Sequence, residues 1–190
     1  PVRHPPKDGG LMAVIEAIQT TYLEADATSV TFDISSSPGN TYEHLQLRIH
    51  AKSDRTGATN DDVALNFNGD TNSNYSHYRM MGSDSAETVT ASTGVAYIKV
   101  SSIQAVANLS GAANYGGVIV DILDYRNGSK NTTVSGMGSL TVAPIGSNRA
   151  TLFSGLWDDV AAVTSIVLAP LSGTNFIRGS EFTLYGLNSA

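Results

Sequence analysis

The sequence contains no cysteine, which excludes a disulfide framework, a thiolate metal site and a cysteine nucleophile. Charge is scarce as well: 15% of the 190 residues are Asp, Glu, Lys or Arg, against about 25% in ordinary soluble domains. The balance is acidic, −6 at pH 7, without the basic stripe of a general nucleic-acid binder. Aromatics are 7% of the chain, with a single tryptophan. No apolar run approaches the ~20 residues of a membrane helix, and the first residues show no signal-type apolar core. Neither nucleic acid nor a membrane is therefore an expected partner. Polarity comes instead from Ser, Thr and Asn, about 28% of the residues, beside 18 glycines. With 41% hydrophobic residues, the chain has enough apolar material for a folded core.

Residues 1–10, PVRHPPKDGG, read as an extended arm. Three prolines fix φ and bias their neighbours to extended conformations, and Gly9-Gly10 interrupts the chain before apolar patterning begins. Arg3, His4 and Lys7 would let this arm dock on an acidic partner. Beyond it, residues 11–190 read as one domain. Alternation with period two dominates: Val30, Phe32 and Ile34; Leu45, Leu47, Ile49 and Ala51; Val63, Leu65 and Phe67. Residues 95–100 are apolar on both faces apart from Lys99, and residues 117–125 read as a central strand whose Asp121 and Asp124 fall on opposite faces. Further strands are expected at 132–135, 151–157, 165–168 and 181–185. Turn clusters such as SSSPGN, RNGSKN and PLSGTN separate them. Short strands at this spacing predict an all-β antiparallel sandwich or barrel. Leu11, Ile15, Ile18 and Tyr22 have helical spacing, so periodicity favours a helix over residues 11–23, although Thr20, Thr21 and Tyr22 favour a strand. Residues 104–113 read as a helical turn or loop, and the Gly/Ser-rich stretch 82–94 as a long surface loop.

No motif for enzymatic chemistry stands out. The four histidines are His4, His44, His50 and His77. His44 and His50 share a strand face ~20 Å apart, too far for one metal ion. There is no GxSxG, and Gly136-Met137-Gly138 lacks the third glycine of a dinucleotide fingerprint. The carboxylate clusters are Asp61–Asp62, Asp121 with Asp124, and Asp158–Asp159; a glycosidase would need two across a cleft. Asn66, Asn68 and Asp70 alternate like calcium ligands but lack the closing Glu. Asn68-Gly69 reads better as the type I′ turn of a hairpin. Sequons at Asn74, Asn108, Asn127 and Asn131 are about as frequent as this composition gives by chance.

Several strings in order, TYEHLQLRI (41–49), FNGDTNSNYSHY (67–78), GVIVDILDY (117–125), SGLW (154–157), AAVTSIVLAP (161–170) and NFIRGSEFTLYGL (175–187), resemble a group of tailed-bacteriophage virion structural proteins. The resemblance spans roughly residues 30–187. It implies a β-sandwich of jelly-roll type, a strand rather than a helix at 11–23, and a scaffold without catalytic residues, metal or cofactor. The expected role is a non-enzymatic protein that decorates and cements the outer surface of a phage head. Its partners would be the major capsid protein and itself, as a homotrimer on local three-fold axes. Arg3, His4 and Lys7 are the expected capsid contacts. Trp157 and Tyr185, large rings with a polar atom, are the expected oligomer contacts. The alternative is a tail-fibre or receptor-binding component recognising surface glycan through Tyr75, Tyr78 and Tyr115. A depolymerase working through Asp121 and Asp124 is the remaining possibility.

Overall fold

A computed structural model describes residues 14–106, 114–141 and 148–188. Among them there is no helix; they form twelve strands. In chain order these are β1 (Val14–Tyr22), β2 (Val30–Asp33), β3 (His44–Ser53), β4 (Asn60–Phe67), β5 (Tyr75–Ser83) and β6 (Glu87–Val95). The second half gives β7 (Ile98–Ala105), β8 (Gly116–Leu123), β9 (Thr132–Leu140), β10 (Arg149–Trp157), β11 (Ser165–Pro170) and β12 (Glu181–Asn188). The chain is all-β, as its alternation implies. Residues 11–13 and the arm with Arg3, His4 and Lys7 lie outside the described residues, as do residues 107–113 of the small-residue segment.

The hydrogen-bonded order is β2-β11-β4-β7-β3-β8-β9-β10-β5-β6, with β12 beside β3 and β1 beside β12. All pairings are antiparallel except a short parallel one between Lys52–Ser53 of β3 and Gln104–Ala105 of β7. There β3 passes from the long row of strands to the four-strand row β2-β11-β4-β7. β7 lies face to face with β8, β9 and β10, which folds the shorter row over the longer one and is compatible with a sandwich. The core between them comes from one parity of each strand. It includes Phe32, Leu45, Leu47, Leu65, Phe67, Ile98, Val120, Phe153, Trp157, Ile166, Phe182 and Leu184. Fully burying each such side chain stabilises the fold by roughly 1.5–3 kcal/mol.

Four sequence expectations change. Residues 14–22 form a strand, against the helical spacing. The Thr20-Thr21-Tyr22 end is β-prone, and β12 offers a free edge, which β1 pairs from Val14↔Asn188 to Tyr22↔Glu181. The stretch 82–94 is not a loop, because β6 fills most of it and pairs with β5 from Gly82↔Glu87 to Tyr75↔Val95. Asn68 and Gly69 do take positive φ (54° and 67°), and the Asp70 amide donates to the Phe67 carbonyl at 2.8 Å. The turn forms, yet it joins no hairpin: β4 pairs with β11 and β7, and β5 with β10 and β6. The run 95–100 also divides, β6 ending at Val95 and β7 starting at Ile98.

Two glycines are fixed by close approach. A Cβ on Gly138 would lie 2.2 Å from Ser101 Oγ, and one on Gly186 2.1 Å from the Tyr42 ring. Gly136-Met137-Gly138 thus has a packing role: inward glycine on β9 lets β7 settle against it.

Candidate functional site

Strand parity places Met137 (β9), Leu152 (β10), Met80 (β5) and Val89 (β6) on the outward face, away from β7. The register brings them into one line. Ile119 lies opposite Met137, Met137 opposite Leu152, Leu152 opposite Met80, and Met80 opposite Val89. All are solvent-exposed: 37% for Ile119, 57% for Met137, 56% for Leu152, 50% for Met80 and 58% for Val89. At ~4.8 Å per strand the row runs ~19 Å. A single exposed Leu is ordinary; five large apolar side chains in register form a contiguous patch, which marks an interaction site.

The surroundings are small and nearly uncharged. One flanking row is Ser139, Ala150, Gly82 and Glu87, and the other Ser135, Ser154, Tyr78 and Ala91. Between Met137, Leu152, Met80 and Val89 on one side and Ala150 and Gly82 on the other lies a groove of about 470 Å³. Charge returns at the far end of the row, where Ile119 pairs with Arg48 of β3. Depletion of charge around an apolar centre is the composition of an interface core.

Beneath the row, the inward side of β5 carries polar groups instead. Arg79 is buried, and its Nη2 donates to Asp62 Oδ1 at 3.1 Å and to Ser102 Oγ at 3.3 Å. The Ser102 hydroxyl donates to the same carboxylate oxygen at 2.7 Å, and Lys99 Nζ lies 3.6 Å from Asp62 Oδ2. Burial pushes the Asp62 carboxyl up, but the Arg79 guanidinium, Ser102 and Lys99 outweigh it and hold it below the usual carboxylate range. His77, stacked on Tyr97 with centroids 6.2 Å apart, is held below its ordinary pKa by burial and by the Lys99 charge. The cluster ties β5 to β4 and β7, and so holds the outward row in place from behind.

The residues singled out in the sequence are placed as follows. Trp157 is 1% exposed and packs against Phe67 and Tyr75; its Nε1 donates to Asp70 Oδ2 at 2.8 Å. The expected oligomer contact is thus a core residue: its parity on β10 is that of Phe153, and its polar atom is satisfied internally. Tyr185 faces outward on β12 with the Arg48 guanidinium 4.9 Å from its ring centroid. It lies on the sheet face that bears the apolar row, at the polar end. Asp70 also takes the Asn72 amide and the Asn74 side chain, and the Asn72 amide foremost keeps its carboxyl low. Asn68 Oδ1 accepts from Thr164 and Ser165. These oxygens are engaged by protein donors, which makes the loop a structural knot.

The tyrosines expected at a glycan site are not brought together. Tyr75 is buried, its hydroxyl pushed up to about 12 by burial; it accepts from the Phe67 amide at 3.1 Å. Tyr78 is exposed beside the apolar row, while the Tyr115 hydroxyl donates to the Arg178 carbonyl and its ring lies against His50. Asp121 faces outward and accepts from Gln46, whereas Asp124, just past β8, pairs with Lys130 at 2.7 Å. Asp61 is fully buried and accepts from the amides of Asp62, Ser172 and Gly173. His44 Nδ1 accepts from the Asp124 amide. Among the described residues no group of three or more His, Asp or Glu could hold a metal ion. The apolar row was not foreseen. Its only sequence signal is that β8 and β10 are apolar at both parities. Set beside models of protein families, curated proteins and solved structures, the chain matches none.

Proposed function

We propose that this is a non-enzymatic virion structural protein that decorates and cements the outer surface of a phage head, bound to the major capsid protein as a homotrimer. The observation that carries the reading is the exposed apolar row Ile119-Met137-Leu152-Met80-Val89, whose flanking residues on β9, β10, β5 and β6 are uncharged except for Glu87. Such a face suits broad contact with another protein and offers no convergent chemistry for turnover. The strand order adds support. The row β2-β11-β4-β7 against β3-(β8-β9-β10)-β5-β6 is compatible with a jelly-roll winding in which one strand of the second sheet is expanded into a three-strand meander. The resemblance of residues 30–187 to phage virion proteins points the same way. In this reading the arm with Arg3, His4 and Lys7 reaches an acidic surface of the neighbouring shell subunit.

The test is the position and copy number of the protein in the particle, by cryo-electron microscopy of the virion. Hundreds of copies on the head are expected; a few copies on the tail would overturn head decoration in favour of the receptor-binding role. On purified capsids, Leu152→Asp should lower occupancy at least tenfold with the fold intact, by placing an unpaired charge in the contact. Unchanged occupancy would refute the assignment of this face.

A further inference from the structure

Among the described residues the long row of strands ends at β6, which pairs only with β5. The other two edges are blunted. β2 is four residues long, and β1 carries Glu16 and a register shift between Ala17 and Gln19. From Glu87 to Thr93, β6 is regular, exposed except at the half-buried Ser92, and free of proline and lysine, with Glu87 its only charge. A long, neutral, regular edge is a template for another strand, and proteins that leave one uncovered usually protect it.

The ladder shows which backbone groups are free. The Ser83 amide donates to the Ala86 carbonyl at 2.9 Å, so that pair is hydrogen-bonded and the pairs alternate from there. Thr88, Thr90 and Ser92 are therefore bonded to β5. Glu87, Val89, Ala91 and Thr93 point their N–H and C=O groups at the open edge. All four have the same parity, which makes the edge complementary to an antiparallel copy of itself. With a two-fold axis at Thr90, Glu87 meets Thr93 of the second copy and Val89 meets its Ala91. Every free group is then paired, on the order of eight hydrogen bonds, and no like charges are opposed. Shifting the axis to Val89 or Ala91 shortens the overlap and leaves edge groups unpaired.

We infer that β6 is a self-association edge, at which two copies of this chain pair antiparallel about a two-fold axis at Thr90. This does not depend on the virion reading. An isologous contact cannot lie within a three-fold trimer, so in a coat of trimers it joins one trimer to the next.

Sedimentation equilibrium of the full chain between about 1 and 200 µM should show a monomer–dimer equilibrium. Ala91→Pro removes a free edge N–H without breaking a bond to β5. It should weaken dimerisation at least tenfold with an unchanged circular dichroism spectrum. Because the protein has no native cysteine, Thr90→Cys reports the register. On mild oxidation it should form a disulfide-linked dimer, while Thr88→Cys, which faces Ser92 of the second copy, should not. A monomer across the whole range without cross-linking of Thr90→Cys, a dimer indifferent to Ala91→Pro, or equal cross-linking through Thr88→Cys would each overturn the inference.

Discussion

Removing the Asp62 carboxylate tests whether the polar cluster behind β5 holds the outward row in place. Arg79 Nη2 and Asp62 Oδ1 are 3.1 Å apart, a gross attraction of about 5 kcal/mol at an effective dielectric of ~20. Desolvation of both ions opposes much of this, but the variant leaves the desolvation of Arg79 in place with nothing to offset it. Breaking a buried pair from one side costs about 3–5 kcal/mol. The Asp62 side chain is 18% exposed, so water relieves part of the loss, and Asp62→Ala should cost about 3 kcal/mol. In urea at pH 7 that lowers the midpoint with the slope unchanged, and for a chain of this size lowers Tm by about 6–12 °C. Arg79→Met should cost less, because Lys99 and Ser102 still serve the carboxylate. The double variant Asp62→Ala/Arg79→Met should be less damaging than the sum of the two single variants, with a coupling of about 1–3 kcal/mol. The sign with pH follows from the depressed Asp62 pKa. The contribution is present above the unfolded value of about 3.9 and is lost as pH falls through the folded one. The gap between wild type and Asp62→Ala should therefore narrow in acid. A cost under about 1 kcal/mol at pH 7, or no coupling in the cycle, would refute the reasoning.

Two further outcomes follow from the interior. His77 titrates below its ordinary value because it is buried near Lys99 and Arg79. The stability it contributes is present above about pH 6.5 and lost as pH falls from there; His77→Gln should flatten the decline of urea midpoints below about pH 6.5. Gly138→Ala forces a methyl to 2.2 Å from Ser101 Oγ and should cost about 1–3 kcal/mol. Adding Ser101→Gly should recover part of that in thermal melts, and no recovery would mean the strain lies elsewhere.

Strand β3 could be read from the sequence because one of its faces is core and the other water, so apolar and polar residues alternate cleanly. β6 could not, because an edge strand wet on both faces has no alternation, and TVTASTG between glycines looks like a linker. The Asn68-Gly69 turn was legible as a conformation. Its flanking strands belong to different rows of the sheet, a fact local chemistry does not encode. The apolar row required the register of four strand pairs joined by residues far apart in sequence, and only folding supplies that. Trp157 is different, since the parity of TLFSGLW sets it with Phe153 and already argues for burial. The ring's polar nitrogen suggested an interface, but Asp70, 87 positions away, supplies the partner internally.

The scarcity of charge is unevenly distributed, and the distribution connects the two proposed contacts. On β9, β10, β5 and β6 the outward positions are Thr133, Ser135, Met137, Ser139, Ala150, Leu152, Ser154, Leu156, Ser76, Tyr78, Met80, Gly82, Glu87, Val89, Ala91 and Thr93, with Glu87 their only charge. Arg48 on β3 and Asp121 on β8 bring charge back at the Ile119 end of the row. A monomer left this way has an apolar face and an uncovered edge side by side, which favours association over solubility. An antiparallel pair about Thr90 sets both outward faces on the same side of one continuous sheet, because directly opposed residues of paired strands share a face. The second copy then presents its own row beside the first. Two weak faces held rigidly together bind a repeating surface far more tightly than either alone, as long as the spacing matches. Pairing through β6 should therefore raise affinity for an ordered array of the partner and leave affinity for a single partner molecule unchanged. Comparing Ala91→Pro with wild type on both targets separates the two effects: a loss on the array alone is expected. An equal loss on the isolated partner would mean that β6 itself touches it.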